Sequence, residues 1–142
     1  MVIDVQEKYF EKPNQPLKNS FVKNVEELVK NAKLNNVDVV FLEMGATPTL
    51  RSITKVFKNP KIIKKQSYSA LNAMLSSMEM NHDEYHLCGL YSDICIHATA
   101  KDLKKKGHDV VIHNRAVIES DRVLGYYENL DVYVTSSLKI RN

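Results

Sequence analysis

The pattern that best indicates the fold is Leu87-Cys88-Gly89-Leu90-Tyr91-Ser92-Asp93-Ile94-Cys95-Ile96-His97-Ala98-Thr99-Ala100. A short apolar run leads into a polar turn, and a helical pattern then begins around Cys95. An α/β protein presents a nucleophile in this way, with a strand, a sharp turn and a thiol on the first turn of a helix. The partial positive charge at a helix N-terminus predicts that Cys95 favours the thiolate over the thiol.

The remainder of the 142-residue chain alternates short apolar runs with helical patterns. The runs predict strands at residues 2–5, 37–44, 61–64, 85–90, 109–113 and 132–135. Helical spacing predicts helices at residues 21–34, 49–57, 69–80, 93–106 and 121–129. This alternation predicts one domain over residues 1–142, a three-layer α/β/α sandwich with a mostly parallel, Rossmann-like sheet of about six strands.

Three reactive side chains follow predicted strands. Asp4 ends the first strand, Lys64 and Lys65 end the third, and Cys95 follows the fourth. Sites in parallel sheets lie beyond the carboxyl ends of the strands, so we expect these residues to converge at one edge of the sheet.

The composition limits the classes of partner. Hydrophobic residues make up 44% of the chain, charged residues make up 26%, and the net charge is +3. We expect no nucleic-acid partner, because the lysines are dispersed rather than clustered with aromatic residues. No apolar run is long enough to span a bilayer, and we expect no signal peptide, because Asp4 and further charges follow Met1-Val2-Ile3 at once. With two cysteines and no disulfide framework, the sequence predicts a cytoplasmic protein with free thiols and no membrane partner.

Three motifs together resemble those of the isochorismatase-like cysteine hydrolase superfamily, which includes nicotinamidases and N-carbamoylsarcosine amidases. The first is Asp4-Val5-Gln6 followed by Tyr9, and the second is Lys65-Gln66-Ser67-Tyr68-Ser69-Ala70-Leu71. The third is the block from Gly89 to Ile96, continued by Thr99 and Ala100. They occur in the family's order and cover most of the chain.

The resemblance implies a catalytic triad of Asp4, Lys65 and Cys95, with Cys95 as the nucleophile. It also implies an oxyanion hole formed by the backbone N–H groups of Tyr91 and Cys95, with a cis peptide bond at Leu90-Tyr91. Tyr9 and Tyr91 are the candidate substrate-binding residues. The implied reaction is hydrolysis of the C–N bond of a small amide or ureido substrate through a thioester.

The sequence also departs from the pattern of the family that it resembles. The stretch from Glu43 to Pro60 has no histidine, whereas the nicotinamidase branch binds a metal through histidines in this region. We therefore expect a metal-independent enzyme without a cofactor. The same stretch is short for the family, so the pocket is either more open or completed by a second subunit. We expect a homodimer or homotetramer.

Each candidate residue has an alternative interpretation. Cys95 could simply pack the start of a helix, and Asp4 could be a structural cap. Lys64 could be the active lysine in place of Lys65, and both tyrosines could be ordinary core residues. The alternative function is a non-catalytic module of the same fold that binds a small ligand or a partner, and a third possibility is a redox-sensing thiol.

Overall fold

A computed structural model describes residues 1–10, 18–118, 127 and 129–140. Six parallel strands form one sheet. They are β1 (Val2–Ile3), β2 (Val40–Met44), β3 (Lys61–Lys65), β4 (Glu84–Leu90), β5 (Asp109–Ile118) and β6 (Tyr133–Thr135). Their spatial order is β3-β2-β1-β4-β5-β6, which places β1 at the centre.

Helices cover both faces of the sheet. They are α1 (Lys18–Leu34), α2 (Arg51–Thr54), α3 (Leu71–Ser77) and α4 (Cys95–Lys105), and a short 3-10 helix spans Glu7–Phe10. Residues from α1 and α2 form one apolar cluster with the sheet, and residues from α3 and α4 form the other. The predicted α/β/α sandwich is therefore confirmed. None of the described helices combines the length and apolarity that crossing a membrane requires.

Several boundaries differ from the predicted ones. Strand β1 has only two residues, because Asp4 adopts a left-handed backbone with φ 57° and turns the chain out of the sheet. Helix α2 is a single turn within the predicted residues 49–57. Strand β5 continues to Ile118, well past the predicted end at residue 113, through a register shift against β4. Most of the helix predicted at 121–129 lies outside the described residues.

The central position of β1 organises the candidate site. Val2 pairs with Phe41 on one side and Cys88 on the other, while Ile3 pairs with Leu42 and Gly89. The carboxyl end of β1 therefore lies between the carboxyl ends of β2 and β4. Strand β3 runs parallel to β2 and ends at the same edge of the sheet.

Candidate active site

Asp4, Lys65 and Cys95 meet at the carboxyl edge of the sheet. Lys65 Nζ lies 3.0 Å from Asp4 Oδ2 and 3.4 Å from Cys95 Sγ. All three side chains are buried. A buried ammonium between a carboxylate and a thiol has the charge and geometry to stabilise either anion.

Backbone carbonyl groups hold the Lys65 ammonium in place. It donates hydrogen bonds to the carbonyl oxygens of Ser67 at 2.9 Å and Tyr68 at 3.1 Å, and it touches the sulfur of Met44 at 3.8 Å. The loop after β3 therefore folds back around the ammonium, which leaves it little freedom to move away from Cys95.

Lys64, the alternative candidate, points away from this group. Its side chain is 58% exposed, and its ammonium lies 2.6 Å from Glu43 Oε1. Side chains alternate between the two faces along a strand, so consecutive lysines cannot both face Cys95. The structure brings Lys65, and not Lys64, to the other two residues.

The electrostatics favour a neutral thiol at rest. Burial and the Asp4 carboxylate raise the pKa of Cys95 to about 12, and Lys65 opposes that rise. Burial also raises the pKa of the Asp4 carboxyl, although hydrogen bonding with Cys95 and the charge of Lys65 oppose it. The expectation that the helix N-terminus favours the thiolate is therefore wrong for the resting site. Asp4 Oδ1 accepts no hydrogen bond from a described N–H or O–H group, so it keeps a lone pair for a proton.

The turn before Cys95 has an unusual backbone. The Leu90-Tyr91 peptide bond is cis, at the position that the family resemblance indicates. The carbonyl oxygen of Tyr91 accepts the N–H groups of Ile94 and Ile96, each at 3.1 Å. Cys95 is the first residue of α4, and N–H groups in a first helical turn point out of the helix end. Cys95 N–H therefore lies in the first turn of α4, at the end of the turn that begins with Tyr91.

Tyr9 and Tyr91 lie against each other next to the three residues. Their ring centroids are 6.2 Å apart in an edge-to-face arrangement, and both residues are half-buried. Burial, with the nearby charges of Asp4 and Cys95, raises the pKa of Tyr9 to about 12. Both rings also pack on the core cluster of α1, so each has a structural role as well as a position at the site.

The short turn after β2 is tied to the segment that follows β1 by a buried glutamine. Gln6 is wholly buried, accepts the N–H of Met44 at 2.8 Å and donates to the carbonyls of Met44 and Thr47 at 2.9 and 2.5 Å. Leu50 N–H also bonds to the carbonyl of Val5 at 2.9 Å. The motif that contains Gln6 did not predict this role for it. Lys8 was not among the predicted site residues, yet its ammonium also donates a hydrogen bond to the carbonyl of Met44.

The donor set near this turn does not fit a metal ion. The only carboxylate that β2 contributes among its described residues is Glu43, which accepts hydrogen bonds from Thr49 N and Oγ1 and pairs with Lys64. Within the described residues, no group of three His, Cys, Asp or Glu side chains could hold a metal ion. Metal independence stays a prediction.

The chain matches the model of a known protein family. Residues 1–131 match the family model of the isochorismatase domain, so the chain belongs to the isochorismatase family. A comparison with curated proteins finds no significant match.

Several solved structures share the fold at low sequence identity. N-carbamoylsarcosine amidase from Thermoplasma acidophilum superposes with a TM-score of 0.77 at 16% identity, covering 94% of this chain and 92% of that one. The nicotinamidase PncA from Bacillus subtilis gives 0.75 at 23% identity, covering 94% and 96%. A cysteine hydrolase from Pseudomonas syringae pv. phaseolicola 1448A gives 0.72 at 16%, covering 88% and 74%.

Proposed function

We propose that this protein is a cysteine-dependent hydrolase that cleaves the C–N bond of a small amide or ureido substrate through a thioester. The observation that supports this proposal is the position of one buried ammonium, on Lys65, between Asp4 and Cys95. Family membership and the structural likeness to an N-carbamoylsarcosine amidase and a nicotinamidase support the same reaction type.

In the first half of the reaction, Cys95 attacks the substrate carbonyl carbon as its proton passes to Asp4. Proton transfer during attack suits a thiol whose pKa lies near 12, because a free thiolate is scarce at neutral pH. The developing oxyanion would be met by the backbone N–H groups of Tyr91 and Cys95. Asp4 then returns the proton to the leaving nitrogen, the C–N bond breaks, and an acyl thioester remains on Cys95.

In the second half, water resolves the thioester. Asp4 takes a proton from the attacking water, the new C–O bond forms, and the C–S bond breaks. The sulfur leaves with its charge stabilised by Lys65 and recovers the proton from Asp4. Lys65 keeps its proton throughout, and Tyr9 and Tyr91 form the wall against which the substrate lies.

We propose that no metal or cofactor takes part in these steps. We propose a homodimer or homotetramer in the cytoplasm, with no nucleic-acid or membrane partner. The YcaC gene product from Escherichia coli, which has a TM-score of 0.69 and 17% identity, is an octameric hydrolase of unknown specificity, so a structural neighbour does assemble. Light scattering coupled to size-exclusion chromatography measures the state of this chain.

The test is a comparison of ammonia release by wild type, Cys95→Ser and Cys88→Ser over a set of primary amides and ureido acids. Cys88 is the matched control, because it is also a buried free cysteine. It packs in the apolar cluster of α1 and α2, whereas Cys95 packs in the cluster of α3 and α4. We expect Cys95→Ser to lose turnover and Cys88→Ser to retain it. Mass spectrometry of a quenched reaction should find the acyl group on Cys95.

Two outcomes contradict the proposal. Hydrolysis that survives in Cys95→Ser would remove the thiol from the mechanism. Failure of wild type to hydrolyse any amide, combined with tight binding of an amide by Cys95→Ala, would favour the non-catalytic ligand-binding module.

A further inference from the structure

Lys8 supplies a second cation beside the active site. It lies on the 3-10 helix that follows Asp4, and its ammonium hydrogen-bonds the carbonyl of Met44 and lies 5.0 Å from the centroid of the Tyr9 ring. Met44 uses one of the three N–H donors of that ammonium. Within the part of the chain that the structure describes, no carboxylate forms an ion pair with Lys8.

A glycine provides the space for this ammonium. Gly45, the residue after β2, has φ 81°, and an added Cβ there would lie 2.6 Å from Lys8 Nζ. A side chain at position 45 would push the ammonium away from the turn. The turn and the lysine are therefore matched to each other, which distinguishes Lys8 from a freely moving surface lysine.

Among the described residues, Asp4 is paired with Lys65 at 3.0 Å, and no ion pair neutralises the charge of Lys8. Lys8 is half-buried, and its charge lowers the pKa of the Asp4 carboxyl. This effect is smaller than the rise that burial causes and smaller than the lowering by Cys95 and Lys65. A partly desolvated, uncompensated cation attracts an anion more strongly than a fully solvated one does.

The positions of the rings connect Lys8 to the reacting thiol. The ammonium lies over Tyr9, Tyr9 contacts Tyr91, and Tyr91 begins the turn that ends at Cys95. The tyrosine pair therefore connects the segment that carries Lys8 with the turn that leads to Cys95.

We propose that Lys8 binds a carboxylate on the substrate, and that the substrate class is a small amide or ureido compound that carries a carboxylate. This inference rests on the proposed hydrolase function, which it refines. Two donors of the Lys8 ammonium bind the carboxylate, and the amide carbonyl then lies at Cys95. Neutral amides lack this contact and bind more weakly.

The experiment compares a dicarboxylic acid monoamide with its uncharged methyl ester, which keeps the same chain length and amide. In wild type, we expect kcat/KM for the acid to exceed that for the ester by about tenfold or more, mainly through KM. Lys8→Met should reduce this ratio to near one, and Lys8→Arg should restore most of it. Lys30→Met, an exposed lysine on α1, is the control and should keep the wild-type ratio.

The ratio of kcat/KM for the acid to kcat/KM for the ester separates a substrate-binding role of Lys8 from a structural one. If Lys8→Met slows both compounds equally, or if wild type shows no preference for the acid, the carboxylate subsite is wrong while the hydrolase function stands. Calorimetry with Cys95→Ala, alone and combined with Lys8→Met, tests the subsite without turnover. If the acid binds to Cys95→Ala but not to the double variant, the subsite is supported even when wild type hydrolyses no amide. The absence of hydrolysis would overturn the hydrolase function and not the subsite.

Discussion

The α-carbon of Gly89 on β4 packs directly against the backbone carbonyl of Ile3 on β1. An added Cβ would lie 1.9 Å from that oxygen, and Gly89 has φ 124°, which residues with side chains rarely adopt. Asp4 follows Ile3, and the turn to Cys95 follows Gly89 by one residue. This contact therefore sets the distance between the two chain segments that carry the carboxylate and the thiol.

Gly89→Ala should be severely destabilising, because both the backbone conformation and the contact with Ile3 resist a side chain. We expect a loss of about 3 kcal/mol or more in the free energy of unfolding, measured by urea denaturation. Gly107→Ala is a matched control, since Gly107 has φ 88° but nothing within 4 Å of the added Cβ. It should cost only about 1 kcal/mol. Equal losses in the two variants would show that the Ile3 contact contributes nothing.

Asp4→Asn should remove proton transfer while keeping the fold. Asn tolerates the left-handed backbone of position 4, and its side-chain oxygen can still accept a hydrogen bond from Lys65. We expect kcat to fall by about 10²- to 10⁴-fold. The unfolding midpoint should also fall, because the buried Lys65 ammonium loses its counter-charge, so kcat is measured well below that midpoint. Asp38→Asn, at an exposed carboxylate, should keep wild-type kcat. A stable Asp4→Asn variant with most of its activity would exclude Asp4 as the general base.

The meeting of Asp4, Lys65 and Cys95 could be predicted from the sequence because parallel strands end at one edge of the sheet. The choice of Lys65 over Lys64 rested on the family resemblance, and the alternation of side chains along a strand explains why only one of the two lysines can face Cys95. The fold class followed from the alternation of strand and helix patterns in the same way.

Other features depend on contacts between distant parts of the chain. The roles of Gln6 and Lys8 arise from the path of the turn after β2, which carries no local signal of its direction. The resting state of Cys95 was wrongly predicted, because the helix N-terminus is a local feature whereas burial and Asp4 are tertiary. The extension of β5 to Ile118 was missed because residues 113–116 shift the register against β4 and interrupt the apolar pattern.

Alkylation of Cys95 should report its neutral resting state. Because the thiol pKa is raised to about 12, the rate with iodoacetamide should rise about tenfold per unit from about pH 6 to about pH 9 without a plateau. Peptide mass spectrometry of a Cys88→Ser background measures the rate at Cys95 alone. Lys65→Met should slow labelling further at each pH, since it removes the cation that lowers the thiol pKa. A plateau near neutral pH would instead reveal a preformed thiolate.

His113 should make the protein less stable in mild acid. It is 1% exposed, its Nδ1 donates to the carbonyl of Ser137 at 2.8 Å, and its Nε2 lies 2.8 Å from His86 Nδ1. Burial lowers its pKa from 6.5 to about 4, so the unfolded chain takes up the proton first as the pH falls. The stability that depends on the neutral ring is complete above about pH 6.5 and is lost progressively toward about pH 4, by about 3 kcal/mol in total. Urea denaturation across this range should show a smaller loss for His113→Gln than for wild type, whereas His82→Gln, at an exposed histidine, should follow wild type. Parallel losses in wild type and His113→Gln would place the acid sensitivity at other groups.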